Sequence, residues 1–187
     1  MSDKIKNGYW RVSEVISKYA GLENVPQRIL AAAAEKGTAV HHVIDGIMEG
    51  FFPPDLPDHI QPYIDSFYSW YQNYSKLVFS QPQRFYSDKL CLTGAVDGIL
   101  TNGETTLVDF KTSAKISETW ALQGNAYVLL AGESGLKIDR IIFVHLQKTG
   151  KPAAEIPFLI EPQPFLRALR AHQLEYGIRP PIRTDRI

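Results

Sequence analysis

Apolar residues recur at helical spacing in five segments of the chain. In the clearest of them, Val40, Ile44 and Met48 fall on one side of a helix and polar residues fall on the other. The proline-rich stretch 51–57 must end this helix, because proline cannot donate the helical hydrogen bond. We predict helices over 10–22, 36–49, 58–74, 117–131 and 163–176.

Other parts of the chain alternate between apolar and polar positions and are rich in β-branched and aromatic residues, as strands are. The segments 84–100 and 105–112 flank Asn102-Gly103, a dipeptide that favours a hairpin turn. Further strands are predicted over 138–146 and 154–160. This order of elements predicts an α/β fold of the mixed α+β kind, with a central mixed β-sheet flanked by helices.

Length and charge limit the organisation of the molecule. A chain of 187 residues with 44% hydrophobic residues fits one compact domain over 1–187. We divide it into a helical N-terminal part over 1–80 and an α/β core over 81–187. Since 20 Lys and Arg residues balance 20 Asp and Glu residues, a strongly basic surface is absent, and any nucleic acid must be held by a local basic patch.

Cysteine usage and hydropathy indicate the compartment. The only cysteine is Cys91, which excludes internal disulfides and four-cysteine zinc or iron–sulfur sites and fits a reducing cytoplasm. Residues 1–7 are polar, unlike a secretory signal, and no window approaches the roughly 18 apolar residues of a membrane span. A phosphate-binding Gly-x4-Gly-Lys-Ser/Thr motif is also absent, so we expect a soluble, cytoplasmic protein without an ATP site.

The first candidate chemistry lies in the strand that contains Asp109 and Lys111. Because successive side chains of a strand alternate between its faces, this carboxylate and this amine point the same way. A carboxylate can hold a hard divalent cation, and a neighbouring lysine can position an attacking water or offset phosphate charge. Taken alone, the triplet is explained better by a surface ion pair at a strand end.

A second carboxylate, Asp97, follows Gly94 in the preceding strand. Pairing of the two strands would place Asp97 beside Asp109, and two such close carboxylates repel each other unless a proton or a cation lies between them. The pair therefore predicts a metal site, although Asp97-Gly98 could also simply start a turn.

Three residues on predicted helices, His41, Gln123 and Tyr127, complete the set of candidate site residues. On a helical wheel His41 falls on the apolar side with Ile44, whereas His42 falls on the polar side, so His41 is the candidate third ligand. Gln123 and Tyr127 are four residues apart on a predicted helix and share one face, where they can present an amide and a phenol. Packing alone could also explain either feature.

The ordered set Gly37-Thr-Ala-Val-His41, Gly94-Ala-Val-Asp97, Asp109-Phe-Lys111 and Gln123-x-x-x-Tyr127 resembles the PD-(D/E)xK nuclease superfamily, and within it the RecB-type exonuclease branch. The resemblance covers roughly half of the chain. It implies a restriction-endonuclease-like core, one or two Mg²⁺ or Mn²⁺ ions, and hydrolysis of DNA phosphodiesters. It implies as catalytic residues Asp97, Asp109, Lys111, Gln123 and Tyr127, and as metal ligands His41, Asp97, Asp109 and the backbone carbonyl of Phe110.

The chain departs from relatives in two ways. One cysteine cannot build the iron–sulfur cluster that some members carry. Many relatives also have a glutamate near the start of the first core strand, where this chain reads Gln81-Pro-Gln-Arg-Phe85. A helper ligand is therefore missing from this pattern, but the central residues are intact.

The leading hypothesis is a divalent-metal-dependent DNase, an exonuclease of phage or host DNA processing, recombination or repair, with a helicase or recombination protein as a candidate partner. The residues expected to grip the DNA backbone are Lys115, Lys148, Lys151, Arg167 and Arg170. Two alternatives are a structure- or sequence-specific endonuclease and a non-catalytic nucleic-acid-binding protein that keeps the fold.

Overall fold

The computed structural model describes residues 8–53, 55–74, 78–80 and 82–178, with the side chain of Val78 left out. All five predicted helices are found in it. Their bounds are α1 Val12–Ile16, α2 Gln27–Met48, α3 Gln61–Tyr71, α4 Thr119–Glu133 and α5 Gln163–Tyr176, with a short 3-10 turn at Ser17–Tyr19 after α1. The irregular segment expected over 179–183 lies outside the described residues.

The largest difference from the predicted helices is the start of α2, which begins nine residues earlier than the apolar periodicity indicates. Pro26 precedes its first turn, and the run from Ala31 to Ala34 continues the helix although these alanines are exposed. Alanine has the highest helix propensity, so this part needs no buried face to be helical. Hydrophobic periodicity detects only the part of a helix that packs.

The strands form two mixed sheets. The strands are β1 Trp10–Arg11, β2 Val78–Phe79, β3 Gln83–Ser87, β4 Leu92–Val96, β5 Gly98–Thr101, β6 Thr105–Lys111, β7 Arg140–His145 and β8 Ala154–Phe158. In the described residues one sheet has the order β1-β4-β3 and the other has the order β2-β5-β6-β7-β8. Within the larger sheet β6 and β7 are parallel, and its other strand pairs are antiparallel.

The predicted hairpin is confirmed, because Thr101 pairs with Thr105 around Gly103, whose φ of 84° suits glycine. The segment 84–100 is not one strand, however. It turns back at Asp88–Cys91 between β3 and β4, and it breaks again at Asp97 between β4 and β5. The mixed α/β fold class is confirmed. The described residues form two mixed sheets, however, where a single central sheet was predicted.

Two hydrophobic clusters lie on opposite sides of β6. Leu107 belongs to the first, which contains residues of α1, α4 and α5 and the aromatic side chains of Trp120 and Phe143. Val108 and Phe110 belong to the second, which is built mainly from α2 and α3. Side chains of β6 therefore alternate between two cores, as the strand pattern predicts. In the described residues no helix is long and apolar enough to span a membrane.

Candidate active site

The break between β4 and β5 places Asp97 against β6. Gly98 pairs with Val108 in register, so Asp97 lies one step further along, next to Asp109 and Phe110. Its Oδ2 accepts a hydrogen bond of 2.6 Å from the Phe110 backbone N–H. A residue within a paired strand would contact β6 through its backbone. Because the strand is interrupted at Asp97, its side-chain carboxylate contacts β6 instead. The turn that sequence reasoning allowed at Asp97-Gly98 is thus a break between two sheets.

His41 reaches the same place from α2. Its Nδ1 lies 3.1 Å from Asp97 Oδ1, and its Nε2 lies 3.0 Å from the Phe110 carbonyl oxygen. Both partners accept hydrogen bonds, so both ring nitrogens donate and the ring is an imidazolium in this arrangement. Burial alone would lower the pKa of His41, but the Asp97 carboxylate raises it to about 9. His42 is exposed, as the helical wheel predicts.

The two groups of the Asp-x-Lys triplet are paired in the interior. Lys111 Nζ lies 2.5 Å from Asp109 Oδ2, and the side chains of these residues are only 18% and 4% exposed. The triplet is therefore not a surface ion pair. Burial raises the pKa of Asp109 to about 6, with Lys111 opposing this effect and Asp97 adding to it. For Asp97, burial is outweighed by His41, and its pKa is lowered.

Gln123 and Tyr127 of α4 extend the polar chain that begins at Asp109. Lys111 Nζ donates to Gln123 Oε1 over 2.8 Å, and Gln123 Nε2 donates to the Tyr127 hydroxyl over 2.6 Å. Burial raises the pKa of Tyr127 well above its ordinary value, so the phenol is neutral. Gln123 thus fixes the direction of the lysine amine, and Tyr127 fixes Gln123.

Packing explains why the Gly94-x-x-Asp97 motif has glycine at position 94. A Cβ atom at Gly94 would lie 2.6 and 2.9 Å from two ring carbons of Tyr127, closer than side chains approach one another. The absence of a side chain on β4 therefore makes room for the Tyr127 ring, which is 5% exposed. Sequence analysis identified this glycine without identifying its partner.

The donor set fits a hard divalent cation in its chemistry. Asp97, Asp109 and the Phe110 carbonyl supply oxygen, and His41 could supply nitrogen. Asp109 Oδ2 is buried and, apart from its ion pair with Lys111, has no hydrogen-bond partner among the described residues. Within the same ranges, no three His, Cys, Asp or Glu groups already stand as a metal-binding cluster. In this arrangement His41 donates to Asp97, and Asp109 is paired with Lys111.

Two groups near the site were missed by sequence analysis. Asp45 lies one helical turn after His41 and is half-buried, and burial together with Asp97 raises its pKa. The four-residue spacing from His41 was a usable signal. His145 pairs in register with Lys111 and its Nε2 donates to the Ser113 carbonyl over 2.7 Å. No local signal marks His145, because the parallel pairing of β6 with β7 is a long-range contact.

The five basic residues expected to bind nucleic acid are all exposed. Lys115 follows β6, while Lys148 and Lys151 lie in the connection between β7 and β8. The carboxyl ends of parallel β6 and β7 meet at one edge of the sheet, so these lysines flank the end that carries Lys111. Arg167 and Arg170 lie on α5, and no contact recorded for the described residues joins them to the site.

Comparison with solved structures defines the fold. The protein named "Putative exonuclease" from Eubacterium rectale shares 11% identity with this chain at a TM-score of 0.58, over 90% of this chain and 79% of that one. SSO0001 shares 13% identity at a TM-score of 0.53, over 94% of this chain and 80% of that one. The chain therefore has the fold of these two proteins.

Other comparisons add less. An alkaline exonuclease from Laribacter hongkongensis has 13% identity and a TM-score of 0.43, over 91% of this chain and 92% of that one, which supports no conclusion about this chain. No protein-family model and no curated protein sequence matches the chain.

Proposed function

We propose that this protein is a divalent-metal-dependent DNA nuclease that acts as an exonuclease. The observation that carries the proposal is one contiguous cluster around β6. There Asp97, Asp109 and Lys111 meet His41 from a helix on one side of the sheet and Gln123 from a helix on the other. Burying two acids and a lysine together costs stability, and clusters of this kind are typical of functional sites. The fold shared with a protein named as an exonuclease supports the same class.

Asp97, Asp109 and the Phe110 carbonyl would hold Mg²⁺ or Mn²⁺, with His41 beside them. When bound, such an ion lowers the pKa of a bound water and stabilises charge that develops on a phosphate. Binding through the His41 ring would require loss of one of its two donated protons, so the affinity for the ion would fall at low pH.

Lys111 is the group of this chain that meets the reacting phosphate. Its amine is aimed by Asp109 and by Gln123, which leaves one N–H free for a substrate oxygen. Tyr127 acts at one remove, because its hydroxyl accepts from Gln123 and fixes the amide that orients the lysine. Asp97, Asp109 and Lys111 are all present, which favours a nuclease over a binding protein that has lost its chemistry.

The test is degradation of end-labelled linear DNA and closed circular DNA, each single- and double-stranded, with Mg²⁺, Mn²⁺ or EDTA. Metal-dependent loss of linear DNA alone, abolished by Asp109→Asn, is the expected result. Cutting of closed circles would instead assign an endonuclease. Absence of metal-dependent cleavage on every substrate would refute the nuclease and leave the nucleic-acid-binding alternative. A helicase or recombination partner stays a prediction.

Lys111→Ala should lower the cleavage rate by about 100-fold or more, because the amine stabilises charge that develops in the transition state. The Kd for DNA should change by less than about tenfold, since one contact among several is lost. Single-turnover cleavage and fluorescence anisotropy measure the two quantities. Lys137→Ala is a matched control, because that lysine is 87% exposed and pairs with Asp139 away from the site. Cleavage that survives Lys111→Ala would remove the lysine from the mechanism.

A further inference from the structure

A small pocket opens beside the candidate active site, where β6 and β7 end. Its volume is about 110 Å³, and its polar lining comes from Tyr63, Thr112, Ser113, His145, Gln147, Lys148 and Thr149. Typical small-molecule sites occupy roughly 300–1,000 Å³. This pocket therefore suits a group with few atoms rather than a whole nucleoside.

The lining is that of an anion site. Lys148 brings a positive charge, and Tyr63, Thr112 and Thr149 bring hydroxyl groups, whereas the Ser113 hydroxyl donates to the Lys115 carbonyl over 2.9 Å. The residues that line the pocket include no carboxylate, and the Asp65 carboxylate lies next to the lining, against Gly150. Tyr63 accepts a 2.9 Å hydrogen bond from Lys36 Nζ, so its own O–H hydrogen is left to donate. In the described part of the chain, no hydrogen bond engages the Lys148 amine or the Thr149 hydroxyl.

The pocket is held in place by the strand ends that carry the active site. The Leu146 N–H donates to the Lys111 carbonyl over 2.8 Å, and His145 Nε2 donates to the Ser113 carbonyl over 2.7 Å. Thr112 follows Lys111 directly, so the pocket begins about 4 Å along the backbone from the lysine. Its position is thus tied to that of the reacting centre.

We propose that this pocket binds a phosphate group of the DNA strand next to the bond that is cut, with Lys148 and Thr112 as the residues that hold it. The inference rests on the proposed nuclease function and names the part of the substrate that this surface recognises. A phosphate in the pocket fixes the strand relative to Lys111. The phosphate is either an internal phosphodiester or a terminal monophosphate, since both present the same anionic oxygens.

The first measurement uses inorganic phosphate as the probe and does not depend on cleavage. Titration of the full chain, followed by amide NMR, should shift the signals of Thr112, Ser113, Lys148 and Thr149. Lys148→Ala should abolish these shifts, and Lys137→Ala, which removes a lysine at the opposite end of β7, should leave them unchanged. Absence of phosphate-dependent shifts at these residues in the unaltered protein would overturn the pocket, whether or not the protein cuts DNA.

The second measurement compares DNA substrates that end in a phosphate or a hydroxyl, together with circular single strands. Lys148→Ala and Thr112→Val should each raise the Kd for DNA about tenfold, and Lys148→Ala should lower the slope of log Kd against log salt by about one. A loss confined to phosphorylated ends assigns a terminal phosphate, and an equal loss on all substrates assigns an internal one. If the unaltered protein cuts DNA but Lys148→Ala behaves like Lys137→Ala, the inference fails while the nuclease stands.

Discussion

At the scale of single residues, the site contains charges that destabilise the fold in the absence of a ligand. Asp109 is 3% exposed and burial raises its pKa to about 6, so at neutral pH it is mostly ionised and the buried charge costs stability. Residues selected for chemistry commonly cost stability in this way. The two carboxylates differ, because His41 compensates Asp97 and holds its pKa down, whereas burial dominates at Asp109.

Asp109→Asn should therefore raise the free energy of unfolding of EDTA-treated protein by about 1 to 3 kcal/mol at about pH 7.5. The asparagine keeps the shape of the side chain and removes the buried charge. Urea denaturation measures the change. Asp139→Asn is the control, since hydrogen bonds from Lys137 and Thr105 hold the pKa of Asp139 low and no gain is expected. An equal or lower stability for Asp109→Asn would show that Lys111 compensates the charge fully.

His41 should titrate in EDTA-treated protein with a pKa of about 9, measured by NMR. The pKa of His41 in the folded protein exceeds its ordinary value of 6.5, so the charged ring stabilises the fold. This contribution is complete below about pH 6.5 and is lost as the pH rises through about 9. The free energy of unfolding should fall over this window, and His41→Gln should flatten the fall. A folded pKa near the ordinary value would mean that the ring does not donate from both nitrogens.

The sequence proposed the candidate residues, since helical periodicity put His41 on the apolar side of its helix, strand periodicity put Asp109 and Lys111 on one face, and the resemblance joined them into one set. Their contacts could not be predicted. The pairing of His41 with the Phe110 carbonyl and the role of Gly94 depend on which elements meet, and no local pattern specifies that. The same reason hid His145, which enters through the parallel pairing of β6 and β7.

At the scale of elements, β4 and α4 are matched through one close contact. The Tyr127 ring occupies the volume that a side chain at Gly94 would fill, and this packing brings the Tyr127 hydroxyl to Gln123. The break after β4 then directs Asp97 to β6. The segment 84–100, which was predicted as one alternating strand, therefore contributes strands to two different sheets. The alternation of apolar and polar residues alone could not reveal this division.

Gly94→Ala should lower the free energy of unfolding by about 1 to 3 kcal/mol, because the added methyl overlaps a buried ring. Gly132→Ala is the matched control, since a Cβ atom there contacts nothing within 4 Å. Thermal and urea unfolding measure both variants. In a Tyr127→Ala background the cost of Gly94→Ala should shrink, and a cost that is unchanged in this double-mutant cycle would contradict the contact.

At the scale of the whole molecule, a formal net charge of zero means that any recognition of DNA must come from local surfaces. The connections after β6 and β7 bring Lys115, Lys148 and Lys151 to the edge of the sheet where Lys111 ends its strand. The sequence predicted a mixed sheet flanked by helices and named these lysines. Charge counting could not tell which basic residues share an edge, because that depends on strand order.

Lys115→Ala should weaken DNA binding and lower the slope of log Kd against log salt by about one, since one phosphate contact is lost. Lys89→Ala, at the exposed turn between β3 and β4, should leave the slope unchanged. Anisotropy at several salt concentrations gives the slope. Equal slopes for the two variants would show that DNA does not contact this edge of the sheet. The variants Arg167→Ala and Arg170→Ala would then test whether DNA contacts α5.

The position of the site between two hydrophobic clusters has a consequence for synthesis of the chain. Every candidate catalytic residue precedes α5 in the chain and is made before it, yet the cluster that supports Tyr127 also contains Phe165 and Leu169 of α5. A nascent chain therefore carries the complete set of reactive groups before it can arrange them. On the proposed function, cleavage would therefore require α5 to dock, and a chain that ends before α5 would not cut DNA.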